Sequence, residues 1–222
     1  KAMKEAGLTR LHIGLESGND FLLTYMNKGV TKDGHIESGR KVKKSGIELS
    51  EYIVLGMGGR KWWKEHVDDT SDVLNAINPD FIRFRTLKVT KDMPLFEKVE
   101  CGDFVISSEE EIIKEERSLI ERLNGITSYI KSDHILNLLE EIEGKLPEDK
   151  EKMLRIIDDF TSLGDEQRLT FRFGRRAGIY RRLNDLNDEL TYFKIRKQIR
   201  EMEQKEPGSV EKTLSLLLEN YI

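Results

Sequence analysis

The sequence reads Leu11-His12-Ile13-Gly14-Leu15-Glu16-Ser17-Gly18 near its start, a short apolar strand that ends in a carboxylate, a hydroxyl and a glycine. Asn19 or Asp20 follows at once, and either side chain can cap the helix that carries the next apolar residues. A strand with a polar end, a glycine turn and a capped helix form the unit from which α/β folds are built.

This unit recurs through residues 8–86. A second helix is predicted over about 32–44, where Ser45-Gly46 ends it, and a second strand over 51–55 runs into Gly56-Met57-Gly58-Gly59. A third helix over about 62–77 precedes a third strand at 81–87. Strands that alternate with helices of this length predict right-handed βαβ units and a parallel sheet. In such folds the chemistry lies at the carboxyl ends of the strands.

The pattern changes beyond Lys88, where helical segments dominate and no further strand is expected. Three strands are too few to close an eight-stranded barrel, which takes about 250 residues. We therefore predict an α/β fold: a partial (β/α) barrel with parallel strands in residues 1–90, followed by a mainly α-helical C-terminal region in residues 91–222. The helices expected there cover about 109–123, 132–143, 148–163, 175–204 and 209–220.

Composition narrows the function classes. The 222 residues carry 37 basic and 41 acidic side chains, a near balance that does not indicate a polyanion binder. No run approaches the roughly 18 apolar residues of a membrane span, and no secretory signal is evident, so we expect a cytoplasmic protein without membrane contact. The lone cysteine, Cys101, excludes an internal disulfide and a self-contained iron–sulfur cluster. Residues 1–7 read as a helix end, so we expect the sequence to begin within a domain.

Two strand ends carry candidate binding residues. Glu16 and Ser17 could hydrogen-bond ligand hydroxyls such as those of a ribose, although an acid at this position is also a common helix cap. The stretch from Val54 to Gly59 is rich in glycine, and a planar base could lie along it because glycines permit close backbone approach. A plain tight turn explains the same stretch, which matches no phosphate-binding motif.

Taken in order, these motifs resemble the later half of a radical SAM domain over about residues 1–90. The subgroup that reads Gly-Leu-Glu-Ser-Gly at its fourth barrel strand is the most similar. The segments that carry the resemblance are Gly14-Leu15-Glu16-Ser17-Gly18, Met26-Asn27-Lys28-Gly29-Val30-Thr31, Ile53-Val54-Leu55-Gly56-Met57-Gly58-Gly59, and Asn78-Pro79-Asp80-Phe81-Ile82-Arg83.

The resemblance implies a cofactor set and a site. Radical SAM enzymes hold a [4Fe-4S] cluster on Cys-x3-Cys-x2-Cys and reductively cleave S-adenosylmethionine to start radical chemistry. By resemblance, Glu16 with Ser17 would bind the ribose or methionine part of S-adenosylmethionine, and Lys28 would lie near its carboxylate. Backbone groups around Val54 and Gly56 would meet the adenine. The three-cysteine motif is absent from this sequence, so we expect the chain alone to be inactive.

Several histidines and acids have weaker signals. Asp133 and His134, beside Asn137, could orient a substrate or move a proton, but a helix N-cap at Ser132 or Asp133 is the favoured interpretation. We expect His12 to lie inside the sheet. We expect the other two histidines, His35 and His66, to lie on exposed helix faces. No second metal site is predicted.

Other function classes stay open at this point. Arg172, Arg175 and Arg176 lie among aromatic residues and could bind RNA, but a solvated helix face with internal ion pairs is favoured. The chain could instead be a non-catalytic α/β binding or interaction module. It could also be a phosphate-binding half-barrel that uses Arg60 and Lys61. The substrate is unknown, and the exposed half-barrel edge predicts a homodimer, which sedimentation as a monomer would contradict.

Overall fold

The computed structural model describes residues 2–219. Its α-helices are α1 (Ala2–Glu5), α2 (Asp20–Tyr25), α3 (Lys32–Ser45), α4 (Gly59–Ile77), α5 (Pro94–Glu100), α6 (Glu109–Arg122), α7 (Lys150–Ser162), α8 (Asp165–Arg176), α9 (Glu189–Lys205) and α10 (Ser209–Glu219), with a 3-10 turn at Leu183–Asn187. None of the helices in the described part of the chain is both long enough and apolar enough to cross a membrane.

The strands of the described residues form one sheet in the order β1 (Arg10–Glu16), β2 (Glu48–Leu55), β3 (Phe81–Thr86), β4 (Tyr129–Lys131), β5 (Glu143–Lys145). The first four strands are parallel and β5 is antiparallel to β4. The α/β class with parallel strands and a helical C-terminal region is therefore confirmed. The outer edge of β1 is unpaired among the described residues, and self-association through it stays a prediction.

The expectation of no strand beyond residue 88 is wrong. Both β4 and β5 are three residues long, and only the middle residue of each is buried. Three residues give too little alternation to separate a strand from a loop. The sheet and its hydrophobic core therefore continue past residue 90.

Two of the helices predicted for the C-terminal region are also corrected. Of the predicted helix over 132–143, residues 132–142 form loops and turns that lead into β5, because the polar side chains of this segment bond to β3 rather than cap a helix. The helix predicted over 175–204 is broken after Arg176, where Gly178 has a φ of 71°, and it resumes only at Glu189. Glycine tolerates this left-handed conformation, which other residues rarely adopt.

Local signals explain the boundaries near the strand ends. The Asn19 side chain caps α2 by accepting the Leu22 N–H at 2.9 Å. Gly46 ends α3 with a φ of 74°. Ser108 and Glu111 form a capping box at the start of α6. These contacts satisfy backbone groups that a helix leaves unpaired at its ends, so local residues set these three helix boundaries.

The two faces of the sheet differ. Leu49, Ile53 and Phe84 point to the face covered by α3, α4 and α6 and are fully buried. Alternate residues, among them His12 and Tyr52, line an open face, where their rings stack 5.5 Å apart. His12 is exposed, so its predicted place in the interior is wrong. Period-two alternation identified the strand, but it did not show which face is covered.

Candidate functional site

Glu16 ends β1 in a strained backbone conformation. Its φ is 57°, in the left-handed region, and the pairing register between β1 and β2 shifts between Gly14 and Glu16. The carboxylate folds back over Gly14, where an added Cβ would lie 3.2 Å from Glu16 Oε1. Lys28 Nζ lies 2.5 Å from Glu16 Oε2, and both side chains are partly exposed. The strand end therefore presents a carboxylate and an ammonium side by side on the open face.

The turn after Glu16 is seated tightly on α4. Ser17 is fully buried, and the Gly18 N–H donates to Thr70 Oγ1 at 2.9 Å. A Cβ on Gly18 would lie only 2.4 Å from the Asp69 carbonyl oxygen. Glycine is required here by the close approach of the two backbones. This packing fixes the position of the carboxyl end of β1, where Glu16 lies, relative to α4.

A hydrogen bond to Glu115 holds the carboxyl end of β2. Gly56 has a φ of 84°, its N–H donates to Glu115 Oε1 at 2.7 Å, and its carbonyl accepts the Gly59 N–H at 2.9 Å. The side chain of Val54 is half-buried and offers an apolar surface on the open face. A flat ring at this strand would therefore pack on Val54 rather than pair with Gly56, whose backbone groups are already engaged.

His66 lies between these two strand ends, in the core. Its Nδ1 is 2.9 Å from Ser17 Oγ, and its Nε2 is 3.5 Å from Glu115 Oε1. His66 is 0% exposed and His35 is 6% exposed, so the expectation that both lie on exposed helix faces is wrong. The spacing of His66 from Thr70 and Leu74 on α4 places all three on one buried face, which is the signal that could have located it.

Burial sets the protonation of this pair. Burial lowers the pKa of His66 to about 4, and the Val54 backbone and Asp69 offset only part of that fall. Burial raises the pKa of Glu115 to about 8; the Gly56 N–H opposes this rise and the nearby Glu116 adds to it. Both groups are therefore neutral at pH 7, and their 3.5 Å approach is not an ion pair.

The segment 132–137 packs against the carboxyl end of β3, the third strand end. Asp133 pairs with Arg83 at 2.7 Å and with Arg85 at 3.2 Å. The Thr86 hydroxyl donates to Asn137 Oδ1 at 2.8 Å, and His134 Nδ1 lies 3.5 Å from the Thr86 N. The favoured helix-cap interpretation of Asp133 is therefore wrong, because no helix begins there. These side chains anchor a loop at the carboxyl end of β3, on the same sheet edge as Glu16.

The arginine cluster is not a solvated face. Arg175 and Arg176 are 8% and 3% exposed, and Arg176 lies against Glu109 while Arg175 pairs with Glu140. The aromatic residues among them, Phe171, Phe173 and Tyr180, are core residues. These arginines do form ion pairs, but with the distant Glu109 and Glu140 rather than with the acids that follow them in sequence, and the predicted exposure is wrong for Arg175 and Arg176. A stacking surface for RNA is therefore not formed by these rings.

Comparison with known proteins agrees with the motifs at the strand ends. The family model described as the radical SAM superfamily matches residues 1–72. An uncharacterized methyltransferase of Pyrococcus horikoshii is 27% identical over 84 residues, which are 38% of this chain and 18% of the relative. The tRNA uridine(34) acetyltransferase of Methanocaldococcus jannaschii is 25% identical over 136 residues, which are 59% of this chain and 22% of the relative.

A solved structure is also similar. The archaeal Elp3 of Methanocaldococcus infernus, with an N-terminal deletion, aligns with 24% identity and a TM-score of 0.49 over 59% of this chain and 32% of its own. The chain thus spans about a fifth of the length of the two curated relatives. The segment matched by the family model, residues 1–72, contains Glu16, Ser17, Lys28, Val54 and Gly56. Residues 1–72 are therefore similar in sequence to the radical SAM superfamily.

Proposed function

We propose that the carboxyl ends of β1 and β2 form part of an S-adenosylmethionine pocket, in a radical SAM enzyme of which these residues are the later half of the partial barrel. The observation that carries the proposal is Glu16, a non-glycine residue held at a φ of 57° with its carboxylate on the open face. Strained backbone of this kind costs about 1–3 kcal/mol and is concentrated at functional sites.

The residues present fit the ligand. Glu16 can accept hydrogen bonds from ribose hydroxyls or from the amino group of the methionine moiety. Lys28, 2.5 Å away, is complementary to the carboxylate of that moiety. Val54 supplies apolar area for the adenine ring. Ser17 is buried and acts on the site by holding the turn, and Gly56 does the same for the second strand end.

The iron–sulfur cluster does not fit these residues. The described part of the chain contains no group of three histidine, cysteine or acidic side chains that could hold a metal, and Cys101 is a free, exposed thiol. In radical SAM enzymes the cluster supplies the electron that cleaves S-adenosylmethionine. We therefore assign that function to residues outside this sequence and propose that the 222 residues alone do not turn over.

The absence of a cluster site gives a direct prediction. Reconstitution of the chain with iron and sulfide is expected to give no stoichiometric cluster, because a single thiolate cannot replace the usual set of cysteine ligands. Visible charge-transfer absorbance and bound iron measure the result. A stable cluster at one per chain would contradict the assignment.

We propose that the longer protein is a transferase. Both curated relatives carry transferase names, one a methyltransferase and one an acetyltransferase. The alternative is a non-catalytic binding or interaction module in which Glu16 has only a structural role. Against it, the cap of α2 is supplied by Asn19 and not by Glu16, so the helix-cap explanation of this carboxylate does not hold.

Glu16→Gln is expected to weaken binding of S-adenosylmethionine by about tenfold, because a hydrogen bond to a charged group contributes about 1.5–3 kcal/mol. Titration calorimetry with the 222-residue chain measures the affinity. Glu48→Gln is the matched control, since Glu48 also pairs with a basic residue, Arg10, but at the opposite end of the strands. It should bind like the unaltered chain.

A second variant separates strain from binding. Glu16→Gly removes the carboxylate and relieves the positive φ, so its folded state should be no less stable than that of the unaltered chain. Binding should still be lost. Unchanged affinity in both Glu16 variants would refute the pocket and favour the non-catalytic module.

A further inference from the structure

A buried row of polar groups joins the two strand ends of the proposed pocket. The row runs from Ser17 Oγ to His66 Nδ1 at 2.9 Å and from His66 Nε2 to Glu115 Oε1 at 3.5 Å. It ends at the Gly56 N–H, which donates to the same Glu115 oxygen at 2.7 Å. Ser17, His66 and Glu115 are each at most 1% exposed. The row crosses the core between β1, α4, α6 and β2.

We propose that His66 and Glu115 are positioning residues that hold the Glu16 and Gly56 strand ends in one fixed relation, so that the S-adenosylmethionine pocket is preorganised. The inference rests on the proposed function only for the identity of the ligand. The coupling of the two turns stands on the geometry alone. Buried residues that hold the ligand-binding residues in place lower the entropy cost of ordering those residues when the ligand binds.

Two of the three contacts in the row are hydrogen bonds, and their directions can be assigned. Ser17 Oγ accepts the Asn19 N–H at 3.1 Å, so we assign its hydroxyl hydrogen to His66 Nδ1. The imidazole proton then lies on Nε2, which faces Glu115. Glu115 accepts the Gly56 N–H through Oε1. His66 Nε2 forms no hydrogen bond within the described residues, so His66 meets Glu115 by close packing, whereas Ser17 and Gly56 are held by hydrogen bonds.

The order serine, histidine, acid resembles a hydrolytic triad, but burial excludes that function. A nucleophile must reach its substrate, and Ser17 is 0% exposed. Its hydroxyl lies beneath the Glu16 turn and is already engaged with Asn19 and His66. The row therefore has a structural role. The groups that would contact the ligand, such as Glu16 and Lys28, lie on the open face of the sheet.

The two turns are also linked by the pairing of β1 with β2, whose last pair is Glu16 with Ile53, and the row adds a side-chain link beneath it. The Ser17–Gly18 turn also bonds to Thr70, one turn along α4 from His66. In the second turn, the Gly56 carbonyl accepts the Gly59 N–H. The Gly56 N–H donates to Glu115 on α6, which is 59 positions away in sequence. Loss of the imidazole removes the hydrogen bond to Ser17 and the packing contact with Glu115, so it should loosen both turns together, whereas a general loss of stability would not select them.

Amide hydrogen exchange followed by NMR tests the coupling directly. In His66→Leu, exchange at Gly18, Asn19 and Gly56 is expected to rise by about tenfold or more over the average of the sheet amides. Leu74→Ala is the matched control, because Leu74 is a fully buried residue of the same helix that does not contact either turn through a hydrogen bond. It should raise exchange globally without selecting these amides.

A second pair of variants keeps the test decisive if His66→Leu does not fold. Glu115→Gln preserves the neutral shape of the protonated acid and should keep exchange at Gly56 unchanged. Glu115→Ala should raise it. In calorimetry, His66→Leu and Glu115→Ala are expected to weaken S-adenosylmethionine binding by about tenfold, with Glu115→Gln restoring it.

The outcomes separate the two claims. Wild-type exchange at Gly56 in both His66→Leu and Glu115→Ala would overturn the coupling, whatever the ligand. Selective exchange at both turns without any binding of S-adenosylmethionine by the unaltered chain would support the coupling and refute the proposed function. Selective exchange with unchanged affinity would overturn the positioning role.

Discussion

Glu109→Ala is expected to destabilise the protein by about 3–5 kcal/mol, because it leaves buried guanidinium groups without their shared carboxylate. Glu109 opens α6 and receives Arg172 Nε and Arg176 Nε, each at 2.7 Å. The exposed fractions of the three side chains are 14%, 16% and 2%. Burial alone would raise the pKa of Glu109, but Arg176 and Arg172 more than offset it, so the carboxyl stays ionised.

The expected loss can be separated from the loss of an ordinary ion pair. Glu211 also binds Arg172, at 3.0 Å, but its side chain is 61% exposed. Glu211→Ala should therefore cost less than about 1 kcal/mol. Urea unfolding of both variants measures the difference. If the two free energies of unfolding fell by the same amount, the buried cluster would not be the link between α6 and α8 that its geometry indicates.

The first ninety residues were predictable because their signals are local. Each strand there has five or more residues, and the helices between them begin and end at residues with a direct physical reason, such as Asn19 and Gly46. The strand ends with Glu16 and Gly56 followed from the same pattern. Local order of this kind needs no knowledge of what packs against it.

The errors come from contacts between distant residues. The burial of His66 depends on Glu115, 49 positions later, and on the turn at Ser17, 49 positions earlier. The segment around Asp133 looks like a helix start, but Arg83 and Arg85 bind the carboxylate at the end of β3. Tertiary partners outweigh a capping preference of about 1 kcal/mol. The support beneath the site could therefore not be read from the sequence.

Glu51→Gln is expected to stabilise the protein above pH 8 by about 5 kcal/mol and to leave its stability at pH 4.5 nearly unchanged. Glu51 lies on the covered face of β2, 1% exposed, and burial raises its pKa from 4.5 to about 8. The unfolded chain loses this proton near pH 4.5, while the folded chain keeps it. Stability is therefore full below pH 4.5 and falls as pH rises toward 8.

Glu115 and Glu116 add to the same slope, since burial raises the pKa of each to about 8. His66 acts in the opposite direction below its ordinary value of 6.5, because burial lowers its pKa and the unfolded state is then protonated first. Removing one acid should therefore reduce the alkaline loss of stability without abolishing it.

Urea unfolding of the unaltered chain and of Glu51→Gln across this pH range gives the slope of each. Glu65→Gln is the matched control, because Glu65 is an exposed acid of α4 beside the buried His66. Its curve should follow that of the unaltered chain. Parallel curves for Glu51→Gln and the unaltered chain would mean that Glu51 is ionised in the fold. A buried carboxylate with no partner for Oε2 among the described residues would then have to be solvated by local opening of the sheet, contrary to its burial.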